Sequence, residues 1–514
     1  MRRTCILMAV IMCCTMMWAQ TAREYIQAST DQDIYLTGEV LHLRIDVTDF
    51  ASRPMDMSKV AYVEIADTKK LHAQTMVQLK EGTGWADIVL PETMHSGYYQ
   101  LNVYTRYMRN FGNECCYKAL LPVVNLTHVS REDRVSFSAV EASQIIDMAN
   151  GNVNVRQYRP YEQINLPSGA GILSNAVMSV QPLSCVAAAS HTSKEPEYKS
   201  VESVKLQPEI EGHIMTAQVE DADKVDVSRL ALVGKAARIF DGQKQADGTL
   251  LYYTTGLKGT LPIMINAYDQ NEEPVKVSLQ SPYAAILADS LPELAVTYVD
   301  ELMKQRGVAA QASAWRNSGT KVDSLDFDRR FLNIEPELMY DLDEYTRFKT
   351  VREILLEFVR GVQRQKRHGR NQLFTHMSEG GRYADCPALV LLDGVPVYDI
   401  DEFMDYDARR LKYVLIYNDR YSFGKSFNQG VISFVTHRGQ LSDYHLDAGS
   451  QLYTYKFPQN RPEAQSPQWV PELTDGYTFC APSVPGYYQI IVRGLDSANH
   501  PATLRSVFEV TDPM

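Results

Sequence analysis

Val40-Leu41-His42-Leu43-Arg44-Ile45-Asp46-Val47 decides the fold class. Leu41, Leu43, Ile45 and Val47 alternate with Val40, His42, Arg44 and Asp46, and a period of two predicts a strand with one buried face. Thr37-Gly38 supplies the turn before it. Working outward, Val60 to Ala66 repeats the alternation, and Gly97 opens a strand in which Tyr99, Leu101 and Val103 share a face. Short strands punctuated by turns over residues 30–124 predict a β-sandwich.

The theme continues toward the C-terminus. Val153, Val155, Ile164 to Leu166 and Ala176 to Val180 read as strand, and residues 186–202 as a linker. Leu230 to Val233, Leu250 to Thr254 and Pro262 to Ala267 predict a further strand-rich unit. Leu294 to Met303 reads as helix, and the small, polar stretch Gln305 to Ser324 as a flexible connection. Thr350 with Glu353 forms a capping-box pattern. Val351, Ile354, Leu355, Phe358, Val359 and Val362 then predict an apolar helical stripe. Ala388 to Leu392, Tyr413 to Tyr417 and Val431 to Val435 read as strands, and the tail from Asp443 is strand-like apart from a Pro- and Gln-rich segment at 458–471. Gly97-Tyr98-Tyr99-Gln100 recurs as Gly486-Tyr487-Tyr488-Gln489, which predicts that the tail uses the same kind of strand.

At 514 residues the chain exceeds the roughly 250–300 residues of a single core. Arg2 and Arg3, the uncharged apolar run Cys5 to Trp18, and Ala19 read as a signal peptide cleaved near Ala19 or Gln20, which implies export. Cys13 and Cys14 raise lipid attachment, but Cys13 follows Met12 rather than a small residue. Loss of residues 1–20 removes two arginines and no acid, taking the formal charge from −12 to −14. That balance argues against nucleic acid as a partner. Five cysteines remain, Cys115, Cys116, Cys185, Cys386 and Cys480, without a C-x-x-C pair, so neither a disulfide framework nor a zinc site is expected.

Two stretches resemble known families. Ser29-Thr30-Asp31, Ile34 to Glu39, Ser96 to Tyr99 and Tyr104-Thr105-Arg106 are similar to strands of a macroglobulin-like domain of the alpha-2-macroglobulin family. Leu391-Leu392-Asp393-Gly394-Val395-Pro396-Val397, Arg420-Tyr421 to Gly424, Gly430-Val431-Ile432 and Thr436 to Gly439 resemble the plug domain of TonB-dependent outer-membrane receptors. Only 75 residues follow Gly439, too few for the ~22 strands of ~10 residues each that a receptor barrel requires. The combination resembles large envelope proteins of Bacteroidales. It implies a mainly β chain of several immunoglobulin/macroglobulin-like β-sandwiches plus a small α+β plug-like domain. The expected divisions are a signal peptide (1–20), sandwiches at 21–126, 127–200 with a linker, and 201–288, a helical or flexible linker (289–345), the plug-like domain (346–440) and a sandwich-like tail (441–514).

The macroglobulin thioester needs a Cys-Gly-Glu-Gln context, and Cys386 is followed by Pro387-Ala388. Gly-x-Ser-x-Gly, His-Glu-x-x-His and a complete phosphate loop are also missing, so no catalytic residue, cofactor or metal is expected. Acid clusters at Asp221, Asp223 and Asp226 and at Asp341, Asp343 and Glu344 read as solvated turns. Arg360, Arg364, Lys366, Arg367 and Arg370, with His368, form a basic patch at and beyond the helix end, suited to the helix dipole or to peripheral contact with anionic membrane or an acidic partner. The partner-binding end is expected at Leu391 to Val397 and in a loop from Asn418 to Asn428, with Asp393, Gly394, Tyr417, Arg420, Tyr421, Phe423 and Gly424 as candidate contacts.

The leading expectation is a non-catalytic protein of the periplasm or outer membrane that presents its plug-like module to an outer-membrane protein, with a binding, scaffolding or transport-associated role. A surface adhesin is one rival, favoured by 30 tyrosines and repeated sandwiches. The other is a hydrolase whose site is assembled from distant residues.

Overall fold

A computed structural model describes residues 23–511 except 151–154, 167–172, 188–195, 202, 235–237, 272, 318–333, 368, 378–381, 424–425, 442–443, 447–448, 460–468, 471, 475 and 499. The expected signal peptide therefore lies outside the described residues. So do the middle of the 186–202 linker and most of the 458–471 segment. The chain is mainly β, in many sheets. It divides into two compact units: Met1–Ile210 with Tyr283–Thr320 and Pro458–Met514, and Glu211–Pro282 with Lys321–Phe457. Among the described residues no helix is long and apolar enough to cross a membrane.

In the first unit, Val40–Thr48 is the centre of a three-stranded sheet between Tyr25–Thr30 and Thr83–Val89. Leu41, Leu43, Ile45 and Val47 are buried as the alternation requires. The opposite face is largely buried as well. Arg44 and Asp46 pair there at 2.9 Å, Thr83 donates to Asp46 at 3.1 Å, and Trp85 stands across the ladder from Arg44. A paired charge can be buried where a lone one cannot.

The neighbouring five-stranded sheet has the order Tyr35–Leu36, Tyr117–Val124, Gly97–Thr105, Val60–Ala66, Leu71–Gln78. All seven residues of Val60–Ala66 are buried. Glu64 accepts from the backbone amides of Ala285 (3.0 Å) and Ile286 (2.8 Å). The Tyr62 hydroxyl bonds Glu209 at 2.9 Å. Residues near 209 and 283–288, expected at the ends of the 201–288 sandwich, thus cover the first one. Cys115 and Cys116 lie buried in the turn before Tyr117–Val124.

The expected 127–200 sandwich does not close on itself. Val135–Ala139 runs parallel to Leu294–Tyr298, whose other edge takes Cys185–Ala187. Ser174–Pro182 joins Gly486–Leu495 and Trp469–Val470, and Arg156–Tyr158 joins Pro501–Val510. Strand edges need partners for their amides and carbonyls, and these short strands find them far along the chain. Met178, Val180, Phe479, Ile490, Val492 and Phe508 fill the resulting core. The repeat has a shared role. Each copy starts the middle strand of its five-stranded sheet. Tyr99 donates to the carbonyl of His95 and Tyr488 to that of Val484, both at 2.9 Å, the back-bond of a tyrosine corner.

Leu294 to Met303, expected as helix, is strand over Leu294–Tyr298 because Leu294 and Val296 are buried about an exposed Ala295, a period of two. The expected flexible connection is helical from Asp300 to Asn317, and Ala309, Ala310 and Ala312 are strong helix formers. Met303 and Ala310 pack with Ile34, Leu36 and Val296.

In the second unit two four-stranded sheets face each other. One has the order Gln243–Lys244, Leu250–Tyr253, Ile214–Val219, Val277–Leu279. The other is Ile239–Asp241, Val227–Leu232, Thr260–Tyr268, Ser450–Lys456, so the expected C-terminal segment contributes a strand here. The α+β module carries a five-stranded sheet in the order Leu338–Asp341, Leu411–Phe423, Ser426–Thr436, Leu389–Leu392, Val395–Pro396. Ala231, Val233 and Met264 of the sandwich share one core with Val351, Ile354, Leu392, Phe403 and Phe434 of the module.

The capping box is formed. Thr350 Oγ1 accepts from Glu353 N at 3.3 Å, and the Glu353 carboxylate accepts from Thr350 N at 2.9 Å. The helix covers only Val351–Glu357. Gly361 (φ 86°) turns the chain, and Val362–Arg367 is a strand paired with Arg370–Thr375. The stripe beyond Leu355 and the basic patch therefore belong to a turn and a β-hairpin, where a period of two replaces the helical one.

Candidate functional site: a cleft in the second unit

A cleft of about 910 Å³ opens in the second unit. Its floor is the sandwich sheet, with Val227, Arg229, Asp241 and Lys244. Its other wall comes from the α+β module, through Asn371, Leu373, Leu389, Val390, Tyr398 and Phe427. Arg229 is 4% exposed. Its Nη1 donates to the Tyr398 hydroxyl at 3.0 Å, and its Nε lies 3.6 Å from Asp241. The Tyr398 ring packs against Tyr268 at 3.9 Å between centroids. A buried guanidinium held by a carboxylate and a phenol is fixed in orientation. The lining offers donors, an acceptor and apolar walls, which is the chemistry of holding and orienting a ligand.

The candidate contacts of the sequence are placed as follows. Asp393 and Gly394 form the two-residue turn between Leu389–Leu392 and Val395–Pro396, both at positive φ (48° and 84°). Asp-Gly is the pairing that such a turn favours. Asp393 is 1% exposed, and its carboxylate accepts from Thr436 N (2.7 Å), Thr436 Oγ1 (2.7 Å) and Leu441 N (2.8 Å). Burial raises its carboxyl above the ordinary range, against the pull of those bonds. Tyr417 is fully buried among Leu389, Leu391, Leu415 and Val431. Asp393, Gly394 and Tyr417 are thus interior residues that build the module, which corrects their assignment as contacts.

The expected loop from Asn418 to Asn428 is a continuation of the hairpin, with Arg420 opposite Gln429, Tyr421 opposite Asn428 and Ser422 opposite Phe427. Arg420 is exposed. Tyr421 packs partly on the Tyr417 cluster, and burial pushes its hydroxyl up to about 12. The Phe423 backbone pairs with Ser426, and Gly424 lies outside the described residues. Phe427, 52% exposed, and Asn428 reach the cleft wall. Both lie within the segment Asn418 to Asn428 expected at the partner-binding end, though neither was among the named contacts, whereas Arg229, Asp241 and Tyr398 were missed by sequence reasoning. Arg229 carries a signal in retrospect: it is a charge set directly against the apolar run Leu230 to Val233.

In the basic patch, Arg364 and Lys366 are exposed on the hairpin, and Arg360 is exposed in the preceding turn. Arg367 lies over the Phe374 ring at 4.4 Å and donates to the carbonyl of Asp385. Arg370 pairs with Glu273. Among the described residues no three His, Cys, Asp or Glu side chains are grouped to hold a metal ion. In the acid clusters, Asp221 pairs with Lys224 and Asp343 with Arg347.

No family model matches the sequence, and no curated protein matches it. Among solved structures, the chain is similar to Salmonella alpha-2-macroglobulin reacted with methylamine at 9% identity, covering 95% of this chain and 40% of that one, with a TM-score of 0.24. Trypsin-activated alpha-2-macroglobulin from Escherichia coli gives 10% identity, 95% and 42% coverage and 0.24. Dimeric latent PorU from Porphyromonas gingivalis gives 10%, 96% and 34%, and 0.15. The chain spans about two fifths of the macroglobulins' length.

Proposed function

We propose that this chain is a non-catalytic binding protein of the bacterial cell envelope, whose α+β module presents a hairpin and its adjoining cleft to a partner in the outer membrane. The observation that carries the reading is the cleft itself. Its volume of about 910 Å³ falls in the range of ligand sites, and its wall includes Phe427 and Asn428 of the hairpin that resembles a receptor plug. Exposed Arg420 and Phe427 are residue types that concentrate at the centres of protein interfaces. The charged start and apolar run of residues 2–18 support export.

The test is co-sedimentation of the purified mature chain with outer-membrane vesicles from the source bacterium. Untreated vesicles should retain it, while protease-shaved vesicles and protein-free liposomes should not. The F427A and R420A variants should bind about tenfold more weakly with unchanged melting. Equal retention by protein-free liposomes, or no retention by untreated vesicles, refutes the proposal.

A further inference from the structure

We infer that a second site, in the first unit, takes a small organic primary ammonium ion. The site is a pocket of about 300 Å³, at the lower end of ligand-site volumes. It is built from residues of the first unit and does not depend on the partner contact proposed above. Val40–Thr48 brings His42 to it, and the segment before that strand brings Asp31 and Glu39. Ser174–Pro182 brings Ser179 and Gln181, and the helix Asp300–Asn317 brings Arg306.

The first support is a set of unspent acceptors. Ser179 is 2% exposed, and its hydroxyl makes no hydrogen bond among the described residues. Trp469 stands directly across from Ser179, and directly opposed residues share a face of the sheet, so hydroxyl and indole line the pocket together. Asp31 is 6% exposed. The Tyr35 hydroxyl (2.6 Å) and the His42 amide (2.9 Å) both donate to its Oδ1, and its Oδ2 accepts no hydrogen bond among the described residues. With Nδ1 donating to Asp87 at 2.7 Å, neutral His42 offers Nε2 as an acceptor. A primary ammonium, with three donors and no acceptor, is the complement of such a set.

The second support is charge. Arg306 holds Glu39 through Nε and Nη2, both at 2.8 Å. Arg493 and Arg505 pair with Asp33, and Asp87 faces His42. The strands that carry Ser179 and Trp469 add no charge. Asp31, Asp33, Glu39 and Asp87 therefore stand against three arginines, one negative charge in excess while His42 is neutral. Asp31 forms no ion pair among the described residues, and a buried carboxylate is stabilised by a cation. Of the lining groups, His42 alone gains positive charge by titration. Burial disfavours that charge, but the bond to Asp87 and the charge of Asp31 raise its titration. A ligand ammonium beside Asp31 takes the role of the imidazolium, so the two exclude each other.

The third support is the apolar wall, from Val40, Pro182, Ala309, Ala310 and Trp469. An indole is the aromatic surface best suited to a cation. Among the described residues no three His, Cys, Asp or Glu side chains are grouped for a metal ion. A hard metal ion takes a shell of oxygens and has no use for such a wall, whereas an ammonium on an apolar body uses both parts of the lining.

The test is isothermal titration calorimetry of the full mature chain with 2-phenylethylamine, and with 2-phenylethanol, which replaces the ammonium by a hydroxyl. The amine should bind at least about tenfold more tightly than the alcohol. Its affinity should rise about tenfold from acid to mildly alkaline pH, as His42 loses its proton while the amine, like a lysine titrating near about 10.4, stays charged. Asp31→Asn should weaken binding about tenfold. Ser179→Ala should weaken it about fivefold with melting no lower, because the hydroxyl removed bonds nothing among the described residues. Nα-acetyl-lysine methylamide binding as tightly as the free amine supports a lysine side chain as the source of the ammonium, and weaker binding supports a free small amine. Where Asp31→Asn does not fold, Ser179→Ala and the pH series decide. Equal affinity for the alcohol, affinity that falls or stays level as pH rises, or unaltered binding by Ser179→Ala overturns the inference. So does displacement of the amine by calcium at matched ionic strength, which would assign the acceptors to an inorganic cation.

Discussion

Replacing Asp393 tests whether this residue builds the module. In Asp393→Ala, three donors lose their acceptor: Thr436 N, Thr436 Oγ1 and Leu441 N. At about 1 kcal/mol each this removes about 3 kcal/mol. The residue sits at φ 48°, a conformation that Asp and Asn tolerate and Ala resists by about 1–2 kcal/mol. The expected loss is therefore about 4–5 kcal/mol, large for a single substitution. Asp393→Asn keeps the turn preference and one carbonyl oxygen, so it should lose about 1–2 kcal/mol. A chain of two units need not unfold in one step, so a global midpoint is a poor readout. Hydrogen exchange by mass spectrometry of peptides spanning 389–397 and 431–441 reads the affected segment directly. Asp393→Ala should raise exchange in both peptides and leave 40–48 of the first unit unchanged. The sign with pH follows from the raised carboxyl. A folded-state value above the unfolded one, about 3.9, contributes stability in acid that is lost as pH rises through the folded value. The advantage of Asp over Asn should thus shrink from acid toward neutral pH. Unchanged exchange in Asp393→Ala, or equal damage from Ala and Asn, would refute the reasoning.

Glu64→Ala should expose the amides of Ala285 and Ile286, cost about 3 kcal/mol, and raise exchange over 283–288. Phe358 caps the helix C-terminus, half-buried and stacked on Tyr345 at 4.5 Å, so Phe358→Ala should cost about 2 kcal/mol, below the 3–5 of a fully buried ring, in urea unfolding followed by circular dichroism. Burial disfavours charged His42, but its hydrogen bond to Asp87 and the charge of Asp31 outweigh burial and raise its titration. Its contribution is present below about 6.5 and lost as pH rises through the folded value, and fluorescence of Trp469, stacked 6.3 Å away, should report a midpoint above 6.5 that D87N lowers.

Local chemistry was legible where one segment determines its own geometry. The alternation of Val40 to Val47 and the Thr350 and Glu353 capping box both stand as the residues imply. Period was misjudged where two readings fit a short apolar run, as at Leu294 to Tyr298 and at Phe358 to Val362. The hairpin at 418–428 read as a loop because its Asn, Asp and Gly content outweighs its pairing in any local count. The cleft was illegible for a different reason. Arg229, Tyr398 and Phe427 are separated by more than a hundred residues from first to last, and only strand register brings them together.

Domain boundaries failed for a related physical reason. The first unit is assembled from three separate pieces of chain, and buried polar side chains fasten the pieces together. Glu64 holds the amides of Ala285 and Ile286, and Asn102 donates to the carbonyl of Ile286 at 2.9 Å. Arg306 reaches the carbonyl of Ile34 at 2.7 Å and Glu39 at 2.8 Å. Arg493 pairs with Asp33 at 2.6 Å and bonds the carbonyl of Thr30. Apolar contacts are non-directional and tolerate sliding. A buried charge left unpaired costs several kcal/mol, so a slipped register at any of these fasteners is penalised. Returning segments are thereby fixed against strands 184 to 463 residues away. A sequence window sees Glu64, Arg306 and Arg493 as ordinary surface charges, because what makes each a fastener is a backbone carbonyl or amide, or a carboxylate such as Glu39 or Asp33, that lies far outside the window.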